Sequence, residues 1–279
     1  MESQDISTSE LIKLALNEKD DEARWNYVQT LHQRGNIEVF DIAKNLCESD
    51  DSKKITLGAD VLGQIGISIE SIDLPFKKES VPVLLNLTET NLKSSKNEED
   101  VIAFQSVIFA LGRMNDEKAR EKILEFTEHQ SEDVRSAVVH GILAIEAEDE
   151  INALIKLSND TDEDVRNWAT FGLGSQIETN TEEIRQALFN RLNEKTDNDV
   201  CDEIRGEALV GLAIRKDERV IAPLIKELSM ESVGILAVEA ASEISDKRLC
   251  EILLKIKDWW DVDEDLLKEA IENCCQNQE

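Results

Sequence analysis

The stretch with the strongest look of chemistry is DEDVRNWATFGLG, Asp162 to Gly174, which closes on Gly172-Leu173-Gly174. Glycines so spaced can form a turn whose backbone N–H groups cradle phosphate. Such a cradle needs a strand before it, a helix N-terminus after it, and Lys with Ser or Thr placed for the phosphates. Here the glycines fall inside a helical pattern, and the position recurs at Gly141 and Gly211. Glycine within a helix costs about 1 kcal/mol against alanine, so its recurrence points to close helix–helix packing. GADVLGQIG (58–66) fails as a dinucleotide fingerprint for the same reason, since no strand precedes it.

Other reactive side chains give no constellation. His32, His129 and His140 are scattered without metal-ligand spacing, and His32 and His140 read as packing residues. The five cysteines, Cys47, Cys201, Cys250, Cys274 and Cys275, are odd in number and lack a CxxC pair. No disulfide framework or structural zinc is therefore expected, and a reduced cytoplasmic compartment fits. Acid around Cys274 and Cys275 would raise their thiol pKa and blunt them as nucleophiles. Carboxylates are so common that no acid/base pair stands out. The expected site carries no catalytic residue, no metal and no cofactor.

The motif belongs to a repeat. HQSEDVRSAVVHGIL (129–143) and DEIRGEALVGLA (202–213) share its order of acid, Val or Ile, Arg, then a small apolar residue, and DDEARWNYVQTLHQRG matches the template through Arg24 and Tyr27. Copies without the Arg centre on Gly58, Val107 and Ala237, giving anchors at 27, 58, 107, 138, 169, 208 and 237. Apolar residues at the anchor and four to either side, as in Val165, Ala169 and Leu173, predict a helix. Nine residues after most anchors stands a capping residue, Asn36, Asp116, Asp217 or Asp246, before a second apolar stripe. Helix pairs at this period predict an all-α chain, an α-solenoid of seven HEAT-like pairs. Pairs would span 21–257. Residues 1–20, opened by a capping box at Ser7 and Glu10, and residues 258–279 would cap the ends of a single domain. ISIESIDLPFKKES (67–80), IETNTEE and KTDNDVCDE read as surface insertions in the turns.

In each strong unit the Arg follows an acid by two residues: Arg24, Asp133 with Arg135, Asp164 with Arg166, Glu203 with Arg205. One such pair could bind a substrate anion. Four equivalent copies favour a structural ladder, because a site needs one unusual copy.

The chain holds 60 acidic against 31 basic residues, a formal net charge of -29. That field repels phosphate backbones and anionic membranes. Only three prolines interrupt it, no run is long enough to span a membrane, and the N-terminus lacks a secretory pattern. The acid either keeps a long surface soluble or speeds encounter with a basic partner.

DEDVRNWATFGLG and EIRGEALVGLAIRKDERVIAPLIKEL resemble the short HEAT repeats called lyase-like after the phycobilisome lyases. With ISDKRLCEILLKI, the last 150 or so residues are similar to bacterial HEAT-repeat proteins encoded beside Rhs-type polymorphic toxins. The resemblance implies a non-catalytic immunity protein, monomeric when free, whose acidic concave face clamps a basic toxin domain. A general adaptor, or a bilin lyase-like enzyme, is the alternative it leaves.

The feature best suited to a partner is KDWWDVDED (257–265). Adjacent tryptophans on a helix point about 100° apart, so Trp259 or Trp260 can stand exposed among Asp258, Asp261 and Asp263. The alternative has both packed under the last helix. Glu182 and Glu183, in the long fifth unit, form a second acidic candidate. Trp168 is expected to pack on the adjoining unit.

Overall fold

The computed structural model describes residues 6–66, 74–193 and 199–275. Among these it is all-α, as the periodicity predicts. Sixteen α-helices follow in order: α1 (Thr8–Asn17), α2 (Asp21–Arg34), α3 (Ile37–Cys47), α4 (Ser52–Leu62), α5 (Lys77–Leu87), α6 (Glu98–Arg113), α7 (Glu117–Leu124) and α8 (Glu132–Ile142). The second half holds α9 (Glu148–Leu157), α10 (Glu163–Phe171), α11 (Glu182–Arg191), α12 (Asp199–Ile214), α13 (Ile221–Leu228), α14 (Ile235–Ile244), α15 (Cys250–Ile256) and α16 (Glu264–Cys275). Contacts divide the chain into two compact units, Met1–Ile142 and Leu143–Glu279. Residues 67–73 of the insertion ISIESIDLPFKKES, residues 195–198 of the insertion KTDNDVCDE, residues 1–5 of the N-terminal cap and residues 276–279 of the C-terminal cap lie outside the described residues.

The helix ends are set by the predicted caps. Ser7 accepts from the Glu10 N–H, Asn36 from Val39, and Asp116 from Lys118 and Ala119. Asp217 and Asp246 accept from Arg219 and Arg248, opening short 3₁₀ turns that continue into α13 and α15. Each of these second-helix caps follows a residue of positive φ: Gly35 (49°), Asn115 (45°), Lys216 (53°) and Ser245 (55°). A left-handed residue ends the first helix and the Asx side chain starts the second, so two residues turn the chain around.

Within each unit the first helices of successive pairs stack: α4 on α6 on α8, and α10 on α12 on α14, with α16 ending the row. The repeat anchors form the seam, with Val107, Val138, Ala169, Ala208 and Ala237 all buried. At two crossings glycines meet. A Cβ on Gly112 would lie 2.4 Å from the Gly141 Cα, and one on Gly211 would lie 2.5 Å from the Gly174 Cα. Gly172 instead lies under the side chains of Leu143 and Leu154, so its smallness fits side chains rather than a facing backbone. Gly112→Ala is expected to lower the unfolding free energy by about 2 kcal/mol, although alanine is the better helix former. Urea denaturation checks this, and an unchanged midpoint would mean the α6–α8 crossing is looser than described.

Candidate functional site

The opening motif folds as a cation site built from backbone. Asp162 caps α10 by accepting from the Val165 N–H, and the chain then widens into a π-turn over Gly172–Gln176. Widening frees carbonyls from the helical ladder. Arg215, one residue past α12 and only 7% exposed, fills the gap. Its Nη2 donates to the carbonyls of Leu173 (2.7 Å) and Ile177 (3.0 Å), and its Nη1 to those of Gly174 and Gly211 (both 3.0 Å). Its Nε donates to Thr179 O at 3.1 Å, so all five guanidinium N–H groups are used. Burial pulls the guanidinium pKa down, and Glu146 offsets this. Glu146 in turn accepts from the N–H groups of Glu178 and Thr179. The Gly-Leu-Gly segment thus offers carbonyl oxygens to a cation, the reverse of a phosphate cradle.

The Arg ladder has different partners from the predicted ones. Asp133 and Asp164 are exposed in the first turns of α8 and α10. Arg135 donates to His129 O and Gln130 O, and Arg166 to Asp160 O and Thr161 O. The guanidinium reaches back over the preceding turn, where helix-end carbonyls lack internal donors. Arg205 is buried and pairs with Asp202 (2.9 Å) and Glu227 (3.1 Å), while Glu203 accepts from Asn167 instead. Arg24 pairs with Asp60 at 2.6 Å.

The two tryptophans separate. Trp260 is 4% exposed and its Nε1 donates to Val233 O at 2.8 Å, whereas Trp259 is 47% exposed. Trp259 stands over a groove of about 710 Å³ whose rim carries Asp258, Asp261, Glu264 and Glu272 beside Lys257 and Lys268. Asp263 is not on that rim. It caps α16 by accepting from the Leu266 N–H. Glu182 and Glu183 face a groove of about 600 Å³ between α9 and α11. Glu182 is tied to Arg185 (2.7 Å) and Arg219 (3.3 Å). Glu183 is held below the usual carboxylate range by its own backbone N–H and the Thr181 hydroxyl, while Thr181 caps α11 by accepting from the Ile184 N–H. Trp168 is 41% exposed, with its ring edge-on to Phe171 of its own helix.

The histidines are structural. His32 is buried with Nε2 on the Asp60 carbonyl, and burial lowers its pKa. The cysteine reading is overturned: Cys250 and Cys275 form a disulfide. The hairpin of α15 and α16 brings residues 25 apart in sequence to a Cα separation of 5.1 Å. The cysteine argument for a reduced compartment falls with it. Burial pushes the Cys47 thiol up to about 12 and the Cys274 thiol up to about 11. For Cys274 burial outweighs the acid named from sequence. The Cys201 side chain lies outside the described residues.

The sequence reading missed one surface. Glu203 and Glu207 on α12, and Glu239 and Glu243 on α14, recur at four-residue spacing and so line one face of each helix. Asn167 donates to Glu203 at 2.9 Å and Ser175 to Glu207 at 2.8 Å, placing this face beside Trp168 and Phe171. Burial raises the Glu207 carboxyl above its ordinary range, and Glu239 and Glu203 add to the rise. Glu239 is raised likewise by burial and by Glu243. Folded values above unfolded ones mean a stability contribution present below the ordinary glutamate range and lost as pH rises through the folded values.

Comparison with known proteins supports the fold. Residues 92–174 match the family model described as HEAT repeats. Protein YibA of Escherichia coli strain K12 is 29% identical over 248 residues, which cover 89% of this chain and 84% of YibA. The X-ray structure of E. coli YibA aligns with a TM-score of 0.76 at 26% identity, over 98% of this chain and 93% of that one. Importin beta aligns with a TM-score of 0.55 at 13% identity, over 96% of this chain and 42% of its own, a likeness of fold alone. The fold class is thus an α-solenoid of HEAT-like helix pairs. None of these names states an activity, so function must be argued from the surface.

Proposed function

We propose that this chain is a non-catalytic protein-binding module for a basic protein domain, and that it acts as an immunity protein, neutralising the toxin domain it binds. One observation carries this reading: acids repeat along facing helices, and the charges acting on Glu207 and Glu239 are those of other acids. Carboxylates crowded in this way cost stability until a cation meets them. A basic partner supplies that cation, and a net charge of -29 would steer it in. HEAT-type helix pairs offer such a surface without needing any bond to be made or broken. Resemblance to proteins encoded beside Rhs-type toxins supplies the partner class, and with it a cytoplasmic location and a monomer before binding.

Inhibition of this kind is stoichiometric, and its association should be fast and salt-sensitive. Co-expression with the toxin domain encoded beside the gene should protect cells. The purified pair should form a complex at low salt that weakens as salt rises. No protection, or no complex at low salt, would overturn the immunity reading.

A further inference from the structure

We propose that the face formed by α10, α12 and α14 docks an extended basic segment of the partner, its Lys or Arg side chains on Glu203, Glu207, Glu239 and Glu243 and its apolar residues against Trp168, Phe171 and Ile235. The inference rests on the protein-binding reading and adds the place and the chemistry. Its geometry comes from the stacking of first helices in the second unit. Asn167 and Ser175 reach from the α10 side to Glu203 and Glu207, so the aromatic pair and the α12 acids share a surface. α12 packs on α14, and Glu239 acts on Glu207 across that crossing, which carries the acid row onto the next helix. Ile235, 43% exposed, lies one turn before Glu239 on the same side of α14.

Trp168 and Ile235 are exposed and Phe171 is half-buried, and they stand on two different helices rather than gathered into one patch. An alternating segment meets this layout well, because successive side chains of an extended chain point to opposite sides. Aromatic rings also attract cations over their faces, so Trp168 suits an Arg or Lys stem as well as an aliphatic one. At one end of the face Lys216 donates its ammonium to the Glu243 carbonyl. That contact marks the edge at which a basic ligand would stop.

The carboxyls best placed to bind are also the ones the fold tolerates least, and this makes the proposal testable. A labelled peptide alternating Arg and Leu is titrated into the full chain, and binding is read by fluorescence anisotropy. E207Q/E239Q keeps side-chain size and the acceptor for Ser175. It should weaken binding about tenfold while raising the melting temperature at neutral pH by roughly 2 °C. W168A should weaken binding several-fold. E117Q/E121Q removes the same charge from exposed sites on α7 and should change affinity less than twofold. An equal loss in that control would reduce binding to net charge and overturn the docking face. Unchanged binding by E207Q/E239Q, or a loss confined to D258N/D261N, would also sink it, the latter moving the ligand to the Trp259 groove. Toxin protection tests the broader reading separately. A chain that protects cells, yet binds peptide unchanged after E207Q/E239Q, keeps its function and loses this site.

Discussion

Arg215→Met is expected to lower the unfolding free energy of the second unit by about 4 kcal/mol. The guanidinium is buried and spends every N–H on a backbone carbonyl, three of them in the segment 173–177 freed by the π-turn. Methionine fills much of the volume but donates nothing, leaving five carbonyls to compete for water in a space without room for it. Each buried acceptor so abandoned costs about 1 kcal/mol or more. Arg215→Lys tests whether charge or fork geometry matters. A lysine ammonium has three donors on one nitrogen and cannot span carbonyls on both sides of the turn, so it should recover less than half of the loss. Guanidinium chloride denaturation gives the free energies, and hydrogen exchange of the 177–181 amides should quicken in both variants. A loss under about 1 kcal/mol for Arg215→Met would show that the turn holds itself.

What the sequence reveals and what it hides divide along a physical line. Asn36, Asp116, Asp217 and Asp246 cap second helices because an Asx side chain acts on N–H groups two or three residues ahead, a range that sequence displays. The anchors Val138, Ala169 and Ala208 are buried because a four-residue period fixes which face turns inward. Arg215 could not be found this way. It stands outside the repeat's Arg position, and its value depends on a π-turn some forty residues earlier. The acid row was hidden for the same reason, since Glu207 and Glu239 meet only through the register of α12 on α14. Asp164 and Arg166 misled by proximity: two residues apart on a helix they point away from each other, and the guanidinium turned to backbone instead.

The cysteines show how a long-range contact can reverse a compositional argument, and they set the second large effect. Removing the Cys250–Cys275 bond, by C250S/C275S or by reductant, is expected to lower stability by about 3 kcal/mol, from the entropy of a loop of 25 residues. The loss should fall on α16, which ends the row of first helices and covers α14 with Leu267, Ala270 and Cys274. Reductant acts cleanly here, because burial keeps the thiols of Cys47 and Cys274 protonated and slow to exchange. Two measurements decide the matter. Thiol titration of the denatured chain, purified without reductant, should count three free thiols of the five cysteines. Calorimetry should show a melting temperature that dithiothreitol lowers in the wild type and leaves unchanged in C250S/C275S. Five free thiols would mean that the hairpin holds its cysteines as a reduced pair, and α16 would then depend on its apolar face and the Asn273–Ser242 contact at 2.9 Å. Three would give the end of the helix row a covalent clasp that no cysteine spacing announces.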